Sequence, residues 1–269
     1  MDGGVNNQPC EWGFTFDSVL GAPGEGTGSQ ESVYESAAKD VVENVIAGQN
    51  GTIMAYGQTG AGPQRRAEPA SDRAQSTTSR QLTFRRVLCS SVVCLSGKTH
   101  SICGTDLSSF ENRGIIPRAV GHIFRAIQSR PDMSFTLSLS YVEIYNEHVF
   151  DLLAVRPPAH TRNPSIAQHI DLPIQEDLMG GTGISIKGLV KRMVSSEQEC
   201  LDALFQGDAE RTIGAHSLNE HSTRSHCIYT LYLSMRSRVE SSEKVIHAKL
   251  NLVDLVRPHA AHAHAGSNA

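Results

Sequence analysis

The feature that most constrains this chain is a phosphate-binding loop motif that occurs in two separated halves. Residues 57–62 supply a G-x-x-x-x-G half, and residues 97–99 supply a G-K-T half. In such a loop the glycines let backbone N–H groups surround phosphates, the lysine contacts the outer phosphates, and the threonine hydroxyl ligates Mg²⁺. A flexible glycine turn is the simpler alternative. The candidate phosphate-binding residues are Gly57, Gln58, Thr59, Gly60, Ala61, Gly62, Lys98 and Thr99, of which Thr99 is also a candidate metal ligand.

The residues around the first half predict an α/β fold. Residues 51–56 are a short apolar run of the kind that forms a buried strand, so the order is strand and then loop. Before it, residues 32–47 place apolar side chains on one helical face, with Ser32 as a candidate N-cap and Gly48 as a stop signal. Later patterns predict a helix from 114 to about 128, strand sequence over 134–150, a helix capped by Ser195 to about 205, and a β-hairpin over 227–237 and 245–254.

The stretch between the two halves, residues 63–97, differs in composition from its surroundings. It opens with Pro63, which has no N–H group to offer a phosphate, and it is rich in Arg, Ser, Thr and Gln without a regular period. A functional insertion is one interpretation, but tolerated insertions lie at exposed loop tips rather than inside a demanding loop. Its basic residues have few aromatic neighbours, so no nucleic-acid partner is predicted. We predict a disordered insert that interrupts the loop.

Two later segments carry residues suited to nucleotide chemistry. Residues 219–226 place closely spaced hydroxyl groups, an arginine and histidines directly before an apolar strand. Beside a phosphate loop, such hydroxyls can orient a Mg²⁺-bound water and the terminal phosphate. Residues 250–255 form an apolar strand that reaches Asp254, the arrangement that delivers a carboxylate beside a phosphate loop. Each segment alone is a weak signal, because polar loops and strands that end in aspartate are common.

Size and composition favour one large α/β domain. The 269 residues, of which 39% are hydrophobic, are enough to bury a core. No stretch approaches the roughly 18 apolar residues of a membrane helix, and the start lacks signal-peptide features, so we expect a cytoplasmic protein without membrane insertion. The six cysteines lack C-x-x-C spacing, which favours reduced thiols over disulfides or a zinc site.

These motifs together resemble the N-terminal part of a kinesin motor domain, and they cover nearly everything except residues 63–97 and the residues after 255. The sequence around residues 52–54 and 225–228 is most similar to the kinesin-nine class of cilia and flagella. The matching segments are 14–17, 56–62 with 98–99, 114–118, 140–147 with 151–153, 219–226 and 251–255.

The resemblance implies a P-loop NTPase fold of the kinesin-motor type, with a mostly parallel central sheet flanked by helices, incomplete in this chain. It implies binding of ATP with Mg²⁺ and hydrolysis coupled to movement along microtubules, on the cytoskeleton and, for this class, in the cilium or flagellum. Carried over by motif, Ser222, Thr223 and Arg224 are catalytic residues of the first switch, Ser225 is a metal ligand, and Asp254 opens the second switch. The predicted division is 1–62 and 98–256 for the partial motor domain, 63–97 for the disordered insert and 257–269 for an unstructured tail.

The chain departs from the family pattern at the second switch. Val256, Arg257 and His259 stand where kinesins have Ala, Gly and Glu, so the glycine that senses the γ-phosphate and the partner of Arg224 are both replaced. Family segments that contact the adenine and form most of the microtubule-binding face are expected outside this sequence. We therefore expect an impaired motor. The alternative is a non-catalytic, truncated or mis-spliced kinesin fragment that acts at most as a binding module.

Overall fold

The computed structural model describes residues 17–20, 29–57, 82–87, 90–94, 101–104, 109–154, 171–177, 183–217, 225–239 and 244–256. A 3₁₀ turn at Phe110–Asn112 precedes the third helix. The helices are α1 (Gln30–Ala37), α2 (Lys39–Ile46), α3 (Ile115–Gln128) and α4 (Glu197–Ser217). The strands are β1 (Ser18–Leu20), β2 (Gly51–Gly57), β3 (Leu82–Val87), β4 (Ser90–Cys94), β5 (Met133–Tyr145), β6 (His148–Asp151), β7 (Ile174–Asp177), β8 (Gly183–Ile186), β9 (Arg192–Val194), β10 (His226–Ser237) and β11 (Val245–Val256).

The central sheet is mixed rather than mostly parallel, which corrects the prediction. Its strand order is β1-β3-β4-β2-β11-β10-β5-β6, with β9 also paired to β5, while β7 and β8 form a separate hairpin. Within the described residues, β2 pairs in parallel with β11 and β4, and the other pairings are antiparallel. Hairpins explain the difference, because short connections such as those between β5 and β6 or between β10 and β11 can join only antiparallel neighbours.

Part of the segment predicted to be disordered forms strands β3 and β4. β4 pairs in parallel with β2, and β3 pairs with β4 and β1. Here the structure differs from the prediction, because short apolar and β-branched runs such as Val92-Val93 can extend a sheet even when polar residues surround them. The remainder of 63–97 and the predicted tail at 257–269 lie outside the described residues.

Helices α1 to α4 and the sheet enclose one hydrophobic core. α2 contacts β2 and β11, α4 contacts β5, and α3 contacts α1, α2 and α4. On β10, Tyr229, Leu231 and Leu233 are buried in this core, as expected for alternate residues of a strand that face one side of a sheet. No helix of the described segments is both long enough and apolar enough to cross a membrane.

Several boundaries differ in detail from the sequence patterns. α1 begins at Gln30, because the Oγ of Ser29 accepts the N–H of Ser32 at 3.1 Å, so that Ser29 rather than Ser32 is the N-cap. The predicted helix over 32–47 is divided at Ala38 into α1 and α2. The turn at Asn146 and the next residue, both with positive φ, divides the predicted strand region into β5 and β6. α3 and the hairpin of β10 and β11 are confirmed.

Candidate functional site

The carboxyl ends of three parallel strands meet at one edge of the sheet. β2 ends at Gly57, opposite Val256 at the end of β11, and β4 ends at Cys94, opposite Tyr56. β10 runs the other way and begins at this edge with His226. Ligands of α/β proteins bind beyond the carboxyl ends of parallel strands. We refer to this part of the molecule, where β2, β4 and β11 end, as the β2–β11 edge.

Three of the predicted site residues lie at the β2–β11 edge. Gly57 is the last residue of β2, and Ser225 directly precedes β10. Asp254, near the end of β11, lies in register with Ala55 of β2 and Cys227 of β10. Ser225 is 0% exposed and Asp254 is 6% exposed. The other predicted site residues lie outside the described residues, namely Gln58, Thr59, Gly60, Ala61, Gly62, Lys98, Thr99, Ser222, Thr223 and Arg224.

Strand β4 returns the chain to the edge from which the first half of the loop motif departs. Cys94 lies opposite Tyr56 in the adjacent parallel strand, and adjacent strands are about 4.8 Å apart. Lys98 is only a few residues beyond Cys94, and an extended chain advances at most about 3.5 Å per residue. The two halves of the motif therefore follow neighbouring parallel strands, at the β2–β11 edge.

A cluster of polar side chains lies behind this edge and joins α4 to β5 and to the start of β10. We call it the α4 polar cluster; its members are Tyr141, Glu143, Asp208, Arg211 and Ser225. Arg211 donates from Nε and Nη2 to the Oγ of Ser225 at 3.3 and 3.1 Å, and from Nη2 to the Ser225 carbonyl at 3.4 Å. Its Nε lies 3.5 Å from Oε1 of Glu143. The Tyr141 hydroxyl donates to Oδ1 of Asp208 at 2.7 Å.

The periods of the two elements bring the α4 polar cluster together. Tyr141 and Glu143 are two residues apart on β5 and therefore share a face of the strand. Asp208 and Arg211 are three residues apart on α4 and therefore share a face of the helix. Gly207 allows these faces to meet, because a Cβ atom at this position would overlap the ring of Tyr141. The sequence thus fixes the contact between α4 and β5.

Burial and neighbouring charge set the protonation of the cluster. Burial raises the pKa of Asp208, against the opposing effects of its Tyr141 hydrogen bond and the Arg211 charge. Burial disfavours the charge of Arg211, but nearby groups that can carry negative charge, in order Cys227, Tyr141, Glu143 and Asp254, outweigh burial and raise the pKa of Arg211. The guanidinium is therefore charged at neutral pH.

The contacts of Ser225 bear on its predicted role as a Mg²⁺ ligand. A serine hydroxyl has two acceptor lone pairs, and its oxygen here receives two N–H groups of Arg211. Ligation of a metal by Ser225 would require release of these contacts, and it stays a prediction. In the part of the chain that the structure describes, no group of three or more His, Cys, Asp or Glu side chains is arranged to hold a metal ion.

The sequence motifs assign no role to Arg211 or Glu143. Glu143 carries a usable signal, because it falls on the strand face that Leu139 and Tyr141 occupy, where a buried carboxylate requires a partner. Arg211 carries no such signal, since the pattern predicts that its helix ends near Phe205, whereas α4 continues to Ser217.

Comparison with known protein families matches the segments that carry Gly57, Ser225 and Asp254. A family model described as the kinesin motor domain matches residues 4–63 and 93–265. This chain belongs to the kinesin family. The match is interrupted at residues 64–92, inside the segment predicted to be an insert, and it resumes within β4. The kinesin resemblance predicted from the motifs is thereby confirmed.

The relatives of this kinesin chain include two kinesin-like proteins. It is 39% identical over 253 residues to human Kinesin-like protein KIF9 and 36% identical over 253 residues to Kinesin-like protein KLP1 of Chlamydomonas reinhardtii. Each alignment covers 94% of this chain and 26% of the relative, so the chain spans about a quarter of their length. The predicted similarity to the kinesin-nine class is confirmed.

A solved structure supports the fold of this kinesin chain. It is described as "Structure of a fast kinesin: Implications for ATPase mechanism and interactions with microtubules", and it matches with a TM-score of 0.65 at 28% identity. The match covers 90% of this chain and 54% of that chain. The predicted P-loop fold of the kinesin-motor type is confirmed, with a central sheet that is mixed.

Proposed function

We propose that this chain is a segment of a kinesin-type microtubule motor that binds ATP with Mg²⁺ at the β2–β11 edge. The observation that carries the proposal is the convergence of Gly57, Asp254 and Ser225 at the place where parallel strands end. In this reading the first half of the loop motif leaves β2 and the second half leaves β4 at the same edge. The proposed phosphate-binding residues are Gly57 to Gly62 with Lys98 and Thr99.

The oxygen groups at this edge suit a hard divalent cation. Asp254 provides a buried carboxylate near the end of β11, and Mg²⁺ binds carboxylate and hydroxyl oxygens with substrate phosphates. When bound, Mg²⁺ neutralises charge on the phosphate oxygens. Thr99 is the proposed direct ligand, and Asp254 is the proposed carboxylate that faces the metal from β11. Ser225 is proposed as a second ligand, for which Arg211 would have to release the Ser225 hydroxyl. Ser222, Thr223 and Arg224 are proposed to face the terminal phosphate.

Hydrolysis by this chain is proposed to be slow. Arg257 stands where the family pattern has the glycine whose N–H meets the γ-phosphate, and His259 stands where it has the acidic partner of Arg224. A side chain at the glycine position would hinder the close approach of backbone to phosphate that glycine permits. We propose microtubules as the partner, with a location on the cytoskeleton and, from the relatives in the kinesin-nine class, in the cilium or flagellum.

Titration of a fluorescent ADP analogue into the purified chain, with Mg²⁺ or with EDTA, tests the nucleotide site. We expect saturable binding that requires Mg²⁺ and is weakened at least about tenfold, or roughly 1.4 kcal/mol, by Asp254→Asn. The matched control is Asp132→Asn, because Asp132 precedes β5 at the opposite edge of the sheet. An absence of saturable binding, or equal losses in the two variants, would overturn the assignment.

Sedimentation with microtubules tests the proposed partner. Because most of the microtubule-binding face is expected outside this sequence, we expect weak but measurable pelleting with taxol-stabilised microtubules, and we expect Mg·ATP to shift the bound fraction. If the chain binds Mg·ADP but does not sediment with microtubules, the nucleotide site is supported and the microtubule assignment is contradicted.

A further inference from the structure

One side chain of α4 contacts the residue at which the chain enters β10. Arg211 lies in the second half of α4, and Ser225 lies 14 residues later, directly before β10. Three hydrogen bonds join them, two to the Ser225 hydroxyl and one to its carbonyl. Residues 218–224 lie between these anchors and include the proposed switch residues Ser222, Thr223 and Arg224. We call residues 218–225 the switch segment. The contact therefore fixes its last residue, Ser225, where the chain enters the sheet.

The anchor is itself held in the interior. Glu143, with a side chain 1% exposed, lies 3.5 Å from Nε of Arg211, whose side chain is 13% exposed. Glu143, Cys227 and Asp254 are consecutive in one cross-strand row over β5, β10 and β11. An ion pair that water barely reaches is screened less by solvent and salt than a surface pair. The guanidinium is thus fixed between the sheet and the switch segment.

Only arginine has the geometry for this arrangement. Its planar guanidinium offers five N–H donors in a rigid fork, which can reach a hydroxyl, a carbonyl and a carboxylate at the same time. The single ammonium group of lysine would keep the positive charge beside Glu143 but could not reproduce the three bonds to Ser225. An Arg211→Lys variant therefore separates charge from positioning.

We propose that Arg211 is a positioning residue that clamps the carboxyl end of the switch segment 218–225 to α4 and β5. Its role as part of a nucleotide response rests on the proposed function, whereas the clamp is a property of the chain without nucleotide. Loss of the clamp frees Ser225, and the three proposed switch residues before it lose a fixed anchor.

Limited trypsin digestion of the full chain without nucleotide tests the clamp, because trypsin cleaves after Arg224. The rate is the appearance, by mass spectrometry, of peptides that begin at Ser225. We expect cleavage at least tenfold faster in Arg211→Ala and in Arg211→Lys than in the parent. The matched control is Arg192→Ala, because Arg192 also bonds to α4, through Gln206 at 2.9 Å, but pairs with β5 at Leu139, five residues before the residue that pairs with His226.

Circular dichroism melting identifies folded variants, and if Arg211→Ala does not fold, Arg211→Lys alone decides. Unchanged cleavage after Arg224 in a folded Arg211 variant would overturn the clamp, and so would equal acceleration in Arg192→Ala. The same digestion with Mg·ADP separates the two proposals. If cleavage is faster in the Arg211 variants but Mg·ADP does not change cleavage of the parent chain, the clamp is supported and the nucleotide site is contradicted.

Discussion

The pairing of β4 with β2 predicts that Val93→Pro weakens nucleotide binding by one to two orders of magnitude. β4 lies between β2 and β3, so its backbone N–H groups face neighbouring strands on both sides. Proline has no N–H group and is not tolerated in the middle of a sheet. The substitution should detach β4 from β2 and release the second half of the loop motif from the β2–β11 edge.

The magnitude follows from chain entropy. Bringing Gly62 and Lys98 together across about 35 otherwise free residues costs about 3 kcal/mol by (3/2)RT ln n. When β4 is paired with β2, most of this loop-closure entropy has already been lost on folding, before nucleotide binds, because Cys94 lies opposite Tyr56. Without the pairing, the loop must be closed when nucleotide binds, so the loop-closure free energy opposes binding. About 3 kcal/mol corresponds to roughly a hundredfold loss of affinity. Partial pairing in the variant would leave about a tenfold loss.

Titration of Mg·ADP into Val93→Pro, Val93→Ala and a variant without residues 63–97 measures this effect. Val93→Ala keeps the N–H group and should remain within about fivefold of the parent, since propensity differences between strand residues are about 1 kcal/mol or less. The deletion joins the two halves directly but removes β3 and β4, the partners of β1 and β2, so its folding is checked first. The folded deletion variant should bind at least as tightly as the parent. A folded Val93→Pro variant with the affinity of the parent would refute the account of β4.

Three further predictions concern the core and the α4 polar cluster. Leu252→Ala should lower the free energy of unfolding in urea by about 2–5 kcal/mol, because Leu252 is 1% exposed and its removal leaves a cavity; a loss below 1 kcal/mol would contradict its placement in the core. Gly207→Ala should cost about 1–3 kcal/mol, because the new methyl group would overlap Tyr141 and push α4 from β5, and an unchanged urea midpoint would show that the two elements are not in contact. The folded-state pKa of Asp208 is raised above its ordinary value of 3.8, so its contribution to stability is present below that value and is lost as pH rises through the folded pKa. Asp208→Asn should remove this part of the pH dependence of unfolding, and identical profiles for the two proteins would contradict it.

The sequence predicts the local elements of this fold better than its sheet. The strand at 51–57 and α3 follow from apolar periodicity and glycine signals that act within one element. The sheet order and the direction of each pairing depend on contacts between distant segments, which local patterns do not contain. β3 and β4 show this most clearly, because their short apolar runs become strands only when β2 offers an edge to pair with.

The candidate site divides in the same way. Gly57 and Asp254 are found from motifs, since each is placed by the strand that it ends or nearly ends. Arg211 is not found, because its importance comes from the helix, the strand and the segment that it joins. A buried charge such as Glu143 is the part of this cluster that sequence reasoning can reach, since a carboxylate on an apolar strand face must have a partner.

Paramagnetic relaxation by Mn²⁺ bound with ADP in place of Mg²⁺ tests the central claim, that the nucleotide site lies at the β2–β11 edge. A genetically encoded spin label would replace Tyr56, which is 40% exposed at the end of β2, or, in the matched control, exposed Arg238 beyond the far end of β10. β10 separates these positions by more than about 30 Å at 3.3 Å per residue. We predict that Mn²⁺ strongly broadens the electron paramagnetic resonance lines of the label at position 56 and broadens those of the label at position 238 little. Equal broadening at both positions, or stronger broadening at position 238, would contradict the account.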